Sequence, residues 1–273
     1  MASAAAVPVL MYHHVSPAPG LITVAPQNFR AQIRWLAING WRGITCDDFA
    51  RFLNGEQLPD RSVLITFDDG YLDNWVHAAP ILAEFGLHAV LFLITGHIGG
   101  DGSPRPQAGA PGAPDCPDHR TCKARIANGD ADSVMLRWAE VEAMQSNATF
   151  EFHSHTHSHT RWDKIVADVA TRQQQLAQDL ALSRETLASR LGGVSAHLCW
   201  PQGYHDEDYR RTATHGGFKY FYTVEKGVAT QRTDPARIPR MVVKDKAGNW
   251  FSSRMRLYRH PLLAALYLRL RGA

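Results

Sequence analysis

The stretch 62–71, SVLITFDDGY, decides the fold of this 273-residue chain. Its first half is a near-continuous apolar run. A strand with one wet face alternates apolar with polar residues; a run without that alternation belongs to a strand covered on both faces, as in a parallel sheet. Two carboxylates then arrive together, Asp68 and Asp69, with Gly70 behind them. Sheets and barrels of parallel strands bind their ligands at the carboxyl ends of the strands. Adjacent acids at such an end repel one another unless a proton or a cation compensates. An aspartate that caps the next helix accounts for one of the pair, but not for both.

Outward from this run, the pattern alternates. VPVLMYHH (7–14) predicts a short buried strand. PQNFRAQIRWLAING (26–40) predicts a helix with Phe29, Ile33 and Leu36 on one face and a stop at Asn39-Gly40. Helical patterns follow at 47–55, 74–86 and 137–145, over a long stretch at 163–191, and at 207–216. Strand patterns occur at 87–94, 148–152, 195–200, 219–224 and 237–243. Strand–helix alternation of this kind predicts an α/β chain with a parallel sheet or barrel, and its length fits a single domain over 1–273. Residues 99–133, rich in Gly and Pro, break the rhythm and read as an inserted surface loop. Cys116, His119 and Cys122 lie in it, too small a set to argue for a metal site of its own.

Composition is that of a folded soluble chain, with 45% hydrophobic and 20% charged residues. No stretch is apolar enough for a membrane span. The opening MASAAAVPVL has neither a basic start nor a long apolar run, so no secretory leader is read and a cytoplasmic location is expected. Four cysteines, Cys46, Cys116, Cys122 and Cys199, do not make a disulfide framework. The net charge of +3 is uneven. Beyond Asp245 stand Lys246, Arg254, Arg256, Arg259, Arg269 and Arg271, and no acid. This basic, leucine-rich segment, 246–273, suggests an anionic partner or a membrane surface. The competing expectation is a terminal helix that packs Leu262, Leu266 and Leu270 on the core. No nucleic-acid motif is present, and no nucleic-acid partner is expected.

A second stretch answers the paired carboxylates. In EFHSHTHSHT (151–160), His155 and His159 follow a predicted strand at a spacing of four. On a helical turn that spacing puts both imidazoles on one face. Two imidazoles and one carboxylate make a three-ligand set with an open position, a common catalytic zinc pattern. The other carboxylate is then left to act as a base. His153 and His157 read as flanking residues.

TFDDGY followed by SHTHSH, on these elements and in this order, resembles the polysaccharide deacetylase family, carbohydrate esterase family 4, over about residues 7–243. The resemblance implies a distorted (β/α) barrel. It implies Asp68 as general base, and Asp69, His155 and His159 as ligands of a divalent metal, expected to be Zn2+. VLMYHHV (9–15) is similar to the opening of the circularly permuted poly-N-acetylglucosamine deacetylases, which implies His13 as general acid and gives His14 the weaker claim. CWPQG (199–203) resembles the family's W-P-Y-G segment, which implies that Trp200, Pro201, Gln202 and Gly203 line the site and that a backbone N–H meets the oxyanion. Gln202 stands where the family usually has Tyr. RIPR (237–240) resembles a late motif and implies Arg240 as the residue that orients Asp68.

The implied reaction is hydrolysis of the N-acetyl group of an amino sugar, with release of acetate. The metal lowers the pKa of water toward about 7, Asp68 takes a proton, and His13 gives one to the departing amine. The expected partner is an N-acetylated saccharide of a glycan, or a lipid-linked or lipopolysaccharide-precursor sugar. The basic tail and the missing leader favour the lipid-linked form, with peripheral association at the inner membrane surface. A deformylase of a lipid-linked formamido sugar is the close alternative. A catalytically inactive sugar-binding homologue is the other, although each expected acid, ligand and histidine is in place.

Overall fold

The computed structural model describes residues 2–100, 102–193, 195–246 and 248–270. Its strands are β1 (Val9–Tyr12), β2 (His14–Val15), β3 (Thr23–Val24), β4 (Arg42–Gly43), β5 (Ser62–Asp69), β6 (Ala89–Leu93), β7 (Phe150–Ser154), β8 (His197–Cys199), β9 (Tyr220–Tyr222) and β10 (Met241–Val242). The α-helices are α1 (Pro26–Ile38), α2 (Cys46–Leu53), α3 (Ala79–Phe85), α4 (His119–Ala127), α5 (Trp138–Ser146), α6 (Trp162–Ile165), α7 (Val169–Leu191), α8 (Glu207–His215), α9 (Asn249–Tyr258) and α10 (Pro261–Leu270).

The main sheet runs β10-β1-β5-β6-β7-β8-β9, with β4 beside the start of β5, and its pairings are parallel. It curls until its two edges approach. Tyr222, at the end of β9, bridges Ile238, three residues before β10. The expected distorted (β/α) barrel is therefore observed as a curled parallel sheet with helices around it.

The apolar run of β5 explains how such a sheet is filled. Val63, Ile65 and Phe67 join the cluster beneath the helices, where Phe29, Ile33 and Leu36 of α1 are fully buried. Leu64 turns the other way and joins Val90, Phe92, Cys199, Tyr222 and Ile238 inside the curl. Successive side chains of a strand alternate faces, so the apolar run of β5 reflects burial of both faces. β7 follows the same rule: Phe150 and Phe152 face the helices, leaving Glu151 and His153 for the other side.

Three sequence expectations change. The long helix at 163–191 is two helices, α6 and α7, separated by residues 166–168, with Asp168 capping the second through a bond from Thr171 N. The segment 99–133 is no plain surface loop: it folds α4, capped by Asp118, and buries Cys116 and Cys122. The C-terminal leucines do not close the barrel. α9 packs Phe251, Met255 and Tyr258 into the core, while Leu262, Leu266 and Leu270 of α10 are 84%, 57% and 78% exposed. Arg271 lies outside the described residues. All four cysteines are free thiols, and among the described residues no helix is long and apolar enough to cross a membrane.

Candidate active site

Adjacent residues of a strand point to opposite faces, so Asp68 and Asp69 should part company. They do not, because Asp69 takes a left-handed backbone with φ 78° and Gly70 follows at φ 92°. A side chain on Gly70 would drive its Cβ to 2.8 Å from Leu93, so the turn needs glycine both for its angle and for its space. Both carboxylates thus open into one cavity of about 370 Å3 at the carboxyl end of the sheet.

The two carboxylates then diverge in their partners. Asp68 is gripped by Arg240, whose Nη1 and Nη2 donate to Oδ1 and Oδ2 at 2.7 and 2.8 Å. Arg240 is itself fully buried and held by the Thr223 carbonyl through Nε. Burial pushes the Asp68 carboxyl up, and the guanidinium beside it more than offsets this, so the group stays below the usual carboxylate range. Asp69 faces histidines instead. His155 Nε2 lies 3.3 Å and His159 Nε2 3.7 Å from Asp69 Oδ1. Burial raises Asp69, and the imidazoles outweigh it and hold the carboxyl well below its ordinary value.

The donor set fits a divalent cation. His155 Nδ1–H donates to the Cys199 carbonyl at 2.8 Å, which turns Nε2 toward Asp69. Burial lowers this imidazole, Cys199 and Asp69 more than offset it, and a metal would replace the proton that Nε2 otherwise presents to Asp69. A carbonyl in that place fixes the tautomer of a metal-binding histidine. Burial and the charge of the neighbouring His155 pull His159 down to about 4, so its imidazole offers a lone pair near neutrality. Two imidazole nitrogens and a carboxylate oxygen converge within 4.8 Å of one another, the oxygen–nitrogen ligand set of a catalytic zinc site.

The histidine pair does not ride on a helical turn. Residues 155–160 form a loop after β7, and Thr156 and His159 have φ of 66° and 58°. His159 N bonds Thr156 Oγ1 at 3.0 Å, and Ser158 N bonds Asp179 of α7 at 2.8 Å. The loop folds back on itself and so returns residue 159 to the side of residue 155. His157 points to Thr95 and His153 to Ser195, outside the ligand set.

His13 reaches the same cavity from the end of β1, with Nε2 3.6 Å from Asp68 Oδ2. Burial holds its imidazole below its ordinary value despite the nearby Asp68 and Asp69. Its backbone is fixed by the turn after β5. Asn74 Nδ2 donates to the His13 carbonyl at 2.8 Å, and Asp73 accepts from Val15 N at 3.1 Å. His14 points away into a buried pair with Asp73, at 2.5 Å. Trp200, Gln202, Gly203 and Arg240 line the cavity, whereas Pro201 is buried and does not. Among the described residues, the buried Trp200 Nε1–H has no hydrogen-bond partner.

Some lining residues were not read from the sequence. Asp73 and Asn74 do not line the cavity but hold the backbone of residues 13 and 15 behind it; they follow TFDDGY after Leu72, which is the signal that points to them. His119, Lys123, Ile126 and Ala127 come from α4, inside the segment taken for a loop. His119 Nδ1 sits 3.2 Å from His14 Nε2, so the insertion is docked on the catalytic wall.

The sequence profile of polysaccharide deacetylases matches residues 55–221, more than half of the chain. The chain belongs to the polysaccharide deacetylase family. Among curated proteins, it is 24% identical over 227 residues to the poly-beta-1,6-N-acetyl-D-glucosamine N-deacetylase of Staphylococcus aureus, covering 82% of this chain and 69% of that one. Among solved structures it superposes on IcaB from Ammonifex degensii with a TM-score of 0.72 at 21% identity, covering 93% and 97% of the two chains. The deacetylase PplD of Streptococcus pyogenes, solved with acetate, gives a TM-score of 0.72 at 19% identity, with 92% and 98% covered. These two likenesses establish the shared fold. As a polysaccharide deacetylase the chain is a hydrolase of the carbohydrate esterase kind.

Proposed function

We propose that this polysaccharide deacetylase removes the N-acetyl group from an amino sugar, with a catalytic divalent metal, zinc by its donor set, held by Asp69, His155 and His159. The observation that carries the reading is the division of labour between adjacent carboxylates. Asp69 faces two imidazoles, while Asp68 is bound by Arg240 and stands outside the ligand set. When bound, the metal supplies Lewis-acid polarisation of water and of the acyl oxygen. Asp68, kept ionised and fixed in place by the guanidinium, accepts the proton of the attacking water. His13, 3.6 Å from Asp68, is placed to receive that proton and deliver it to the departing amine. Trp200, Gln202 and Gly203 line the cavity, the Gly203 N–H is held by the Trp200 carbonyl, and the backbone N–H of Gln202 is the proposed donor to the oxyanion; one such donor contributes about 3 kcal/mol.

The saccharide is proposed to be lipid-linked, a lipopolysaccharide precursor or a similar carrier-bound sugar, met at a membrane surface. α10 supports this by leaving Leu262, Leu263, Leu266 and Leu270 in solvent, beside the basic residues of α9. A cleft of about 490 Å3 is lined by Lys226, Lys244, Arg254 and Arg240, and Arg240 also lines the catalytic cavity. An anionic carrier group in that cleft would sit next to the sugar being deacetylated.

The test is acetate release from a panel of N-acetylated saccharides, free and lipid-linked, with sedimentation on anionic liposomes at low and high salt. Turnover of the lipid-linked sugars with salt-sensitive liposome binding, lost when residues 261–273 are removed, is expected. Turnover of free glycans without liposome binding would keep the deacetylase and discard the lipid link.

A further inference from the structure

β7 carries titratable side chains at both of its ends. Glu151, His153 and His155 occur at every second residue and so share the face turned away from the helices. His155 serves the catalytic cavity. Four residues back, Glu151 anchors a separate cluster toward the amino-terminal end of the strand. Cys46, the first residue of α2, donates its N–H to Glu151 Oε1 at 2.5 Å, and its thiol lies 3.4 Å from the Tyr222 hydroxyl. One ligand atom each of Cys46, Glu151 and His153 lie within 4.8 Å of one another.

The imidazoles around Glu151 are the decisive feature. His153 Nε2 is 3.5 Å and His88 Nε2 3.8 Å from Glu151 Oε1. Both Nε2 atoms are buried, and neither has a hydrogen-bond partner among the described residues. Their other nitrogens are occupied. His88 Nδ1–H donates to the Ala148 carbonyl at 2.9 Å, and His153 Nδ1 meets Ser195 Oγ at 2.6 Å. With Nδ1–H on that carbonyl, His88 Nε2 is left to face the carboxylate; burial lowers this imidazole and Glu151 more than offsets it, so a cation there takes the place of a proton. This repeats the catalytic arrangement, where two Nε2 atoms approach one carboxylate oxygen at 3.3 and 3.7 Å. A buried polar atom without a partner is costly, and a cation among convergent acceptors removes that cost. A cleft of about 420 Å3, lined by Glu151 and His153, gives the cluster a route to solvent.

We propose that Cys46, Glu151 and His153 form a second divalent-metal site, selective for zinc-like ions, with His88 facing the same carboxylate oxygen. Mixed sulfur, oxygen and nitrogen donors suit zinc rather than magnesium or calcium. Binding converts the Cys46 thiol to a thiolate and releases its proton to solvent. The site joins the start of α2 to β7, at the end of the barrel remote from the reaction, so its role is structural.

The test is metal analysis of the full-length protein as purified, followed by cobalt(II) substitution. Two metals per chain are expected in the wild type, and one in each of Asp69→Asn, Cys46→Ser and Glu151→Gln. The cobalt form should show a thiolate-to-metal charge-transfer band that persists in Asp69→Asn and disappears in Cys46→Ser. One metal per chain, lost on Asp69→Asn, overturns the proposal. So does a thiolate band that survives Cys46→Ser, which would assign the sulfur to Cys199 beside His155. Should Cys46→Ser not fold, zinc-edge X-ray absorption of the wild type decides, and the absence of a sulfur neighbour around zinc is the contrary result.

Discussion

The catalytic cavity has two walls built in different ways. On one, Asp68, Asp69 and His155 stand at or just past the ends of β5 and β7. Strand pairing runs right up to them: Asp69 registers against Leu93, and His155 N bonds the Leu93 carbonyl at 2.8 Å. On the other, His119, Lys123 and Ile126 stand on α4, a helix of nine residues whose apolar support is the small cluster of Tyr71, Cys122, Val134 and Met135. The first wall is fixed by the same hydrogen bonds that hold the barrel together. The second is an insertion resting against it. Chemistry that tolerates no displacement belongs on the first wall, and selection among saccharides belongs on the second, where residues are exchanged without disturbing the sheet.

The comparison orders the effects of substitution. The largest falls on the ligands: His155→Ala should lose the catalytic metal and reduce acetate release to background, read by metal analysis and turnover on one sample. Next is Arg240→Met. It leaves the buried Asp68 without its counter-charge, and breaking a buried pair costs about 3–5 kcal/mol. The measurement is the midpoint of thermal or denaturant unfolding, and an unchanged midpoint would contradict the grip described for Arg240. His13→Ala should lower kcat by about 10²–10⁴-fold, the range for a lost acid–base group. His14→Ala should be milder, because His14 points into the Asp73 pair rather than the cavity; equal losses would remove the distinction. The smallest effect belongs to the inserted wall. Lys123→Ala should shift KM by about 1 kcal/mol or less, roughly fivefold, as exposed charges do, and should leave kcat close to wild type. A kcat loss as large as that of His13→Ala would mean that the two walls do not divide the work.

Legibility in the sequence follows the same division. The barrel could be read because its strands are dry on both faces, and SVLITF states this without ambiguity. The convergence of Asp69, His155 and His159 could be read because Asp-Asp after a buried strand and histidines spaced by four are unusual in combination. The local path is not legible. The spacing suggested a helical turn, while the chain reaches the same end with left-handed residues at Thr156 and His159 and a bond to Asp179 on α7. Such a path depends on a partner 21 residues away, which periodicity does not report. α4 was missed because proline and glycine dominate the first half of 99–133 and mask nine ordinary helical residues in the second. The role of Arg240 needed a contact spanning 172 positions, which only the resemblance could suggest. The exposed leucines of α10 have a helical pattern that serves a core or a surface equally well, so burial had to be observed.

The central claim is that adjacent carboxylates do different work, Asp69 as ligand and Asp68 as base. Asp68→Asn against Asp69→Asn tests it most directly, with bound metal and acetate release measured on each purified variant. The account predicts that Asp68→Asn keeps the catalytic metal and loses about 10²–10⁴-fold in turnover, while Asp69→Asn loses both. Near-normal deacetylation by Asp68→Asn, or loss of the catalytic metal from it, would contradict the assignment.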